Sequence, residues 1–304
     1  MRLRHPSGRI VRLTCGVSVI EARTPSDAFA MIDAAAADLR AGLCAARGGD
    51  PGRISVALRL PYPLAAALVT DGRARTRLRA ELDARGLEVV TLNGGPDAGG
   101  GGLPPLPDWS EPARLEHTLD LARILVDLLP DDEVRGAVGS CGLGRRADWD
   151  EAHEKAAARH LSRLSGKLAD LAWRVGRAVR AGFEPAPGQV LDSPEDTVAA
   201  LTRVDKDRLG LSLDLARVVR DWPAPQDGVD RLTDAGLSVI TVRVTDPSAA
   251  WQPVLRHLLA ADTARTEYIE VDTPGSAAAQ QMAYVIGELT ALGLTPESEP
   301  CTTP

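Results

Sequence analysis

Leu209-Gly-Leu-Ser-Leu-Asp-Leu-Ala-Arg217 decides the fold. A short apolar run, Leu209–Leu213, reads as a strand and ends on an acid, Asp214. The same kind of run recurs downstream at Leu237–Val244 and Tyr268–Val271. Upstream it recurs at Val179–Phe183, Val134–Val138, Leu87–Leu92, Ile54–Leu60 and Ile10–Val19. Amphipathic stretches separate these runs, with apolar residues stepping by three and four: Phe29, Ile32, Ala36, Leu39, Leu43 in one, and Leu115, Leu119, Ala122, Val126, Leu129 in another. Leu161, Leu164, Leu168, Leu171, Val175 and then Met282, Ile286, Leu289 continue the pattern. Ser26-Asp27, Ser110-Glu111-Pro112 and Ser193-Pro194-Glu195-Asp196 supply helix starts, with capping hydroxyls and acid or Pro in the first turn.

Eight strands, each followed by a helix, predict an α/β protein: a single (β/α)8 TIM barrel over residues 1–304, with a core of about 10–295 and about 38 residues per unit. The competing open sheet would carry a Gly-rich phosphate turn after its first strand. Thr14-Cys15-Gly16-Val17 lacks that fingerprint. Segments 1–9 and 296–304 are polar or Pro-rich and are expected to be loosely ordered.

Composition narrows the function classes. Lys+Arg 35 against Asp+Glu 42 gives a net charge of −7, which argues against a nucleic-acid partner. Lys occurs only at Lys155, Lys167 and Lys206, a skew ascribed to codon usage. The longest charge-free run, Thr273–Gly287, is too short and too polar for a bilayer, and Met1–Pro6 lacks a signal-peptide core. Cys15, Cys44, Cys141 and Cys301 are isolated, as in a reduced protein. The expectation is a cytoplasmic chain acting on a small-molecule metabolite, with a homo-oligomer left open.

A barrel of this kind carries its reactive groups at the C-terminal strand ends. That rule nominates Cys15, Arg59, Asn93, Ser140 or Cys141, Glu184, Asp214, Arg243 and Glu270. The stretch 94–107 follows the third strand on the same face and includes four consecutive glycines. It reads equally as a lid over the site and as a loop without a role, since glycine runs cost much entropy to order.

Leu92-Asn-Gly-Gly-Pro96, Leu106-Pro-Asp-Trp-Ser-Glu-Pro112, Glu184-Pro-Ala-Pro-Gly188, Gly210–Arg217 and Tyr268-Ile-Glu-Val-Asp272 together resemble the EboE family, metabolite-traffic proteins of Ebo-type clusters. The similarity runs from about Thr14 to about Leu292. It implies a xylose isomerase-like barrel, the group of sugar phosphate isomerases and epimerases, and a divalent metal held by strand-end carboxylates and histidine. Glu184, Asp214 and Glu270 match the acidic ligands, and Mn²⁺, Mg²⁺ or Zn²⁺ would suit them. The histidines do not match. Arg217 ends the Asp-x-x-His pattern, Arg243 takes the polar position of the seventh strand, and glycines replace the loop histidine. Ala186 replaces the second Glu of the Glu-Pro-Glu-Pro-Gly block. His5 lies in the tail, while His117, His153, His160 and His257 fall in helical segments and are expected to pack or face solvent, away from the mouth.

A guanidinium is permanently charged and satisfies carboxylates in pairs. At ~4 Å and an effective dielectric of ~20, it would repel a divalent ion by on the order of 8 kcal/mol. The expectation is a site without a metal cofactor, with a divalent metal as the alternative. Catalysis falls to Glu184, Asp214, Glu270 and Arg243, and substrate binding to Arg59, Asn93, Arg217, Asp272, Ser140 and Cys141. Gly139-Ser-Cys-Gly142 does not meet the nucleophile-elbow pattern and reads as a tight turn. Trp109 reads as packing at a helix start. These groups suit acid–base isomerisation, epimerisation, dehydration or cyclisation of a sugar-like, cyclitol-like or prenylated metabolite in specialised metabolism. The alternative from another class is a metabolite carrier with a degenerate metal site. A scaffold for a partner enzyme would instead need a large apolar patch on its helical shell.

Overall fold

The computed structural model describes residues 1–22, 24–47, 50–94, 107–246, 248–261, 265–272 and 277–297. A short strand β1 (Arg2–Arg4) leads into the barrel strands β2 (Ile10–Ser18), β3 (Ile54–Arg59), β4 (Leu87–Asn93) and β5 (Arg135–Ser140). These are followed by β6 (Ala178–Phe183), β7 (Leu209–Asp214), β8 (Val239–Val244) and β9 (Tyr268–Val271). Each of β2 to β9 runs parallel to the next, and β9 returns to β2, so the sheet closes. This is the (β/α)8 architecture that the alternation of runs predicts, and the strand limits lie within two residues of the expected ones.

The period of two explains the layering. Leu13, Cys15 and Val17 of β2, Val56 and Leu58 of β3, Leu211 and Leu213 of β7, and Ile240 and Val242 of β8 are fully buried under the helices. The opposite face, turned to the barrel axis, carries small polar groups in the middle: Thr14, Ser55, Thr91, Ser212 and Thr241. Charged side chains then cluster at the two ends of the axis. Burying each shell-facing Val, Leu or Ile contributes roughly 1.5–3 kcal/mol, which holds the strands in the register that aligns their ends.

The shell comprises α1 (Pro25–Arg47), α2 (Tyr62–Thr70), α3 (Gly72–Ala84), α4 (Pro112–Leu128) and α5 (Glu151–Val175). It continues through α6 (Pro194–Leu201), α7 (Leu215–Asp221), α8 (Pro225–Asp234), α9 (Gln252–Ala260) and α10 (Ala277–Ala291), with β10 (Thr295–Pro296) at its end. Ser193 begins α6 with a full capping box to Asp196, as its sequence predicts. Among the described residues, two strand-to-strand connections hold two α-helices each rather than one. The first splits at Asp71, whose carboxylate caps α3 by accepting from the amides of Arg73 and Ala74. Helix α4 packs against α2, α3 and α5, which buries it on most of its circumference.

The N-terminal segment departs from expectation. Residues 2–4 are not a loose tail: β1 pairs antiparallel with β2 on one side and with β10 on the other. Leu3 is 1% exposed. One apolar side chain among arginines was too weak a signal to read as a strand. Stretch 95–106 and residues 298–304, and with them the lid reading and most of the C-terminal tail, lie outside the described residues. No described helix is long and apolar enough to cross a membrane.

Candidate functional site

At the C-terminal strand ends a cavity of about 490 Å³ opens above the axis. Arg243, near the end of β8, is its hub. Its Nη1 bonds Glu184 Oε2, and its Nη2 donates to Asp272 Oδ2 at 2.8 Å. Asp272 also pairs with Arg59 Nη2 from the end of β3, and that nitrogen lies 3.5 Å from Glu270 Oε1. Asn93, ending β4, donates from Nδ2 to Glu270 Oε2 at 3.4 Å. On the other flank Arg217 Nη1 meets Glu184 Oε1 at 3.1 Å, and its Nε lies 3.6 Å from Asp214. Ion pairs thus tie together the ends of β3, β8 and β9, the residue after β6, and the start of α7.

The lattice is arranged in two layers. Glu184 lines the cavity together with Arg59, Arg217, Arg243 and Asn93. Asp214, Glu270 and Asp272 sit behind the guanidiniums, and Glu270 is 1% exposed. Asp214 has a structural task as well. Its Oδ1 caps α7 by accepting from the amide of Ala216 at 3.0 Å, and it accepts from Thr245 Oγ1 at 2.8 Å. Burial lowers the Arg59 guanidinium, while Glu270 opposes that shift. Burial acts the same way on Arg243, but there Glu184, Glu270 and Asp214 outweigh it and the net shift is upward. Arg243 is therefore a fixed cation.

Close packing shapes the floor. A Cβ on Gly139 would stand 1.9 Å from Asn93 Oδ1, and one on Gly16 would stand 2.7 Å from Asp272 Oδ1. Only glycine lets these two polar side chains occupy their places. Ser140 and Cys141 line the cavity as nominated. The Ser140 hydroxyl accepts from the indole N–H of Trp109 at 3.0 Å. Trp109 is fully buried with its ring edge-on to Phe183, so its packing also orients Ser140. Cys15 is corrected as a mouth residue: strand β2 runs three residues further, to Ser18, and Cys15 faces the shell. Burial and the Glu270 charge push its thiol up to about 12, which removes it as a nucleophile.

His117 is also corrected. It does not turn away from the mouth but lines the cavity together with Arg114 and Thr118, all from the first turns of α4. It is 2% exposed, meets Tyr62 edge-on, and neither ring nitrogen has a hydrogen-bond partner among the described residues. Burial, then the Arg114 charge, hold its imidazole down at about 4, so it is neutral at pH 7. The sequence carries one feature that bears on this, the glycine after β4. A Cβ at Gly94 would lie 2.3 Å from His117 Nε2, so the glycine leaves room for the ring. The remaining helical histidines behave as expected. His160 binds the Trp109 carbonyl oxygen at 2.9 Å, and His153 and His257 pair with Asp150 and Asp230 at the surface.

Most of the strand-end carboxylate oxygens are engaged, while Glu270 Oε1 is buried with no hydrogen bond among the described residues. Glu184 and Asp272 are each bonded to two arginines, and Asp214 is committed to amides, Thr245 and Arg217. Among the described residues, no three His, Cys, Asp or Glu side chains are placed to hold a metal.

Solved structures share this fold. The chain aligns with a D-tagatose 3-epimerase-like protein at 15% identity over 92% of this chain and 98% of that one, with a TM-score of 0.60. It aligns with the 3-keto-D-glucoside 4-epimerase of E. coli at 12% identity over 93% and 99%, TM-score 0.57. A xylose isomerase-like TIM barrel protein from Mycobacterium smegmatis, in complex with magnesium, aligns at 17% identity over 95% and 94%, TM-score 0.58. The protein thus has the fold of the xylose isomerase-like barrels. At these identities the likeness speaks to the fold alone. No family model matches the chain, and no curated protein matches it in sequence.

Proposed function

We propose that the protein is a divergent xylose isomerase-like enzyme of specialised metabolism that moves a proton on a small oxygenated metabolite without a divalent metal. One observation carries this reading: the guanidinium of Arg243 stands between Glu184 and Asp272, among the strand-end carboxylates that resemble metal ligands. In the neighbouring epimerases the reaction inverts a carbon bearing a hydroxyl group. Inversion needs a second acid on the opposite face; with Glu184 alone at the cavity wall, the balanced step is a proton taken from one carbon and returned to its neighbour, as in an isomerisation. Arg243 and Arg59 would stabilise the oxyanion that develops as the carbon–hydrogen bond breaks. Asn93 would orient a substrate hydroxyl. Asp214, Glu270 and Asp272 would hold the guanidiniums in place rather than touch substrate. The blocks resembling EboE support a biosynthetic setting.

Mass spectrometry of small molecules co-purifying with the full chain supplies a substrate. Turnover of that compound is expected to fall at least a hundredfold in Glu184→Gln. Elemental analysis is expected to find no stoichiometric transition metal, and a metal bound through Glu184 and Glu270 would overturn the reading. The carrier alternative is favoured by one observation: every mouth carboxylate already has a partner, which lowers its readiness to take a proton. A carrier keeps its ligand affinity in Glu184→Gln and shows no turnover in the wild type.

A further inference from the structure

A second cleft, of about 790 Å³, opens at the end of the barrel axis opposite the mouth. The starts of β2, β5, β6 and β9 and the residues that lead into β7 line it. Its charged lining is Arg9, Arg12, Arg135, Arg180, Arg208 and Arg265 against Glu133, Asp207 and Glu267. Asp205 beside Arg208 and Glu88 beside Arg12 add two carboxylates from outside the lining. Six lining arginines therefore face five carboxylates, and two of those five, Glu133 and Glu88, also serve Arg2 and Arg53. The surplus is localised. The exposed Arg135 guanidinium has no ion pair or hydrogen bond among the described residues. Arg9 bonds only the Leu259 carbonyl oxygen, and its Nε and Nη1 are buried without a partner. Thr266 supplies an independent sign. It lines the same cleft, is 1% exposed, and its hydroxyl has no partner among the described residues. A buried hydroxyl of this kind is destabilising until something satisfies it. The uncharged part of the lining is largely aliphatic, with Ile10, Val134, Leu168, Ala172 and Val179, and Val134 is 57% exposed.

We propose that this cleft is a second binding site, for a small amphipathic carboxylate whose acid group lies on Arg135 and Thr266 in the field of Arg9, with an apolar body against Val134 and Leu168. Arg135 supplies charge-assisted donors and Thr266 a hydroxyl donor, which together match a carboxylate. A surplus this small does not suit a polyanion, and the aliphatic lining does not suit a sugar. The apolar body instead covers side chains that the fold leaves partly open to water. This site lies at the far end of the axis from Glu184 and Arg243, so it depends on neither reading of the mouth.

Calorimetric titration of the full chain with hexanoate, hexanamide and acetate tests it. Hexanoate is expected to bind at one site, with affinity falling as salt rises. Hexanamide lacks the charge and acetate the apolar body, and each is expected to bind at least tenfold more weakly. Arg135→Gln is expected to weaken hexanoate about tenfold with little change in thermal midpoint, because the side chain is exposed and unpaired. Thr266→Val keeps the shape and removes the hydroxyl. It is expected to weaken hexanoate several-fold while the midpoint stays the same or rises, whereas a hydroxyl needed only for the fold would lower it. Arg59→Gln, at the mouth, is expected to leave hexanoate binding intact. Absence of hexanoate binding up to about 10 mM, equal binding of hexanamide, or unchanged affinity in either Arg135→Gln or Thr266→Val overturns the proposal. Loss of binding in Arg59→Gln alone does so too, because it moves the site to the mouth.

Discussion

At His117, burial and the charge of Arg114 disfavour the imidazolium in the folded state only. The folded value of about 4 lies below the ordinary 6.5 of an unfolded chain. Between those values the unfolded chain binds the extra proton, so stability is full above pH 6.5 and falls as pH drops toward 4. The loss amounts to about 3 kcal/mol at its limit. Urea midpoints at pH 7 and pH 4.5 are expected to diverge less in His117→Gln than in the wild type, and identical divergence would count against the neutral buried ring. Arg243→Gln makes the opposite kind of change. It leaves Glu184 and Asp272 facing each other with one guanidinium fewer, and it is expected to cost about 3–5 kcal/mol by urea unfolding. Arg243→Lys should recover only part of that loss, because an ammonium lacks the fork that reaches both acids.

The elements explain which parts of the site could be read from sequence. Strand ends were legible because strands alternate every two residues and a barrel aligns their C-termini; Arg59, Asn93, Ser140, Arg243 and Glu270 all emerge that way. The residues of α4 were not. A barrel helix ordinarily shows one face to the sheet, but α4 is enclosed by three other helices and brings its first turns to the mouth. Nothing in the three- and four-residue spacing of its leucines distinguishes that from an ordinary shell helix. The layering was also invisible, since which carboxylate stands in front of which depends on χ angles rather than on position in the chain. The end of β5 offers a test at this scale. Gly139→Ala is expected to force Asn93 off Glu270, costing ligand affinity or turnover with only a small loss in thermal midpoint. At the start of α7, Asp214→Ala removes the cap and is expected to cost about 1–2 kcal/mol by the same unfolding assay, whereas Asp214→Asn retains most of it.

For the whole molecule, the two ends of the barrel axis divide their tasks. The C-terminal end carries the cavity and its arginines. At the N-terminal end β1 pairs with β2, and part-buried ion pairs lie close by, with Arg12 Nε on Glu133 at 2.7 Å and Arg180 Nη1 on Glu267 at 2.8 Å. Leu3→Ala removes a fully buried side chain at that end and is expected to cost about 2–5 kcal/mol in denaturant unfolding without touching ligand affinity. An unaffected midpoint would mean that β1 does not contribute to the fold.

The hub at Arg243 has a consequence for descent. Codons for arginine and histidine can differ by a single base, and position 243 alone bridges Glu184 and Asp272. Exchanging it for a neutral imidazole would remove the central positive charge and surround that point with acids and a nitrogen ligand. Where that arginine codon ends in a pyrimidine and begins with C, one base change would give a centre of reversed polarity, and a lineage could cross between the two on the same unaltered barrel.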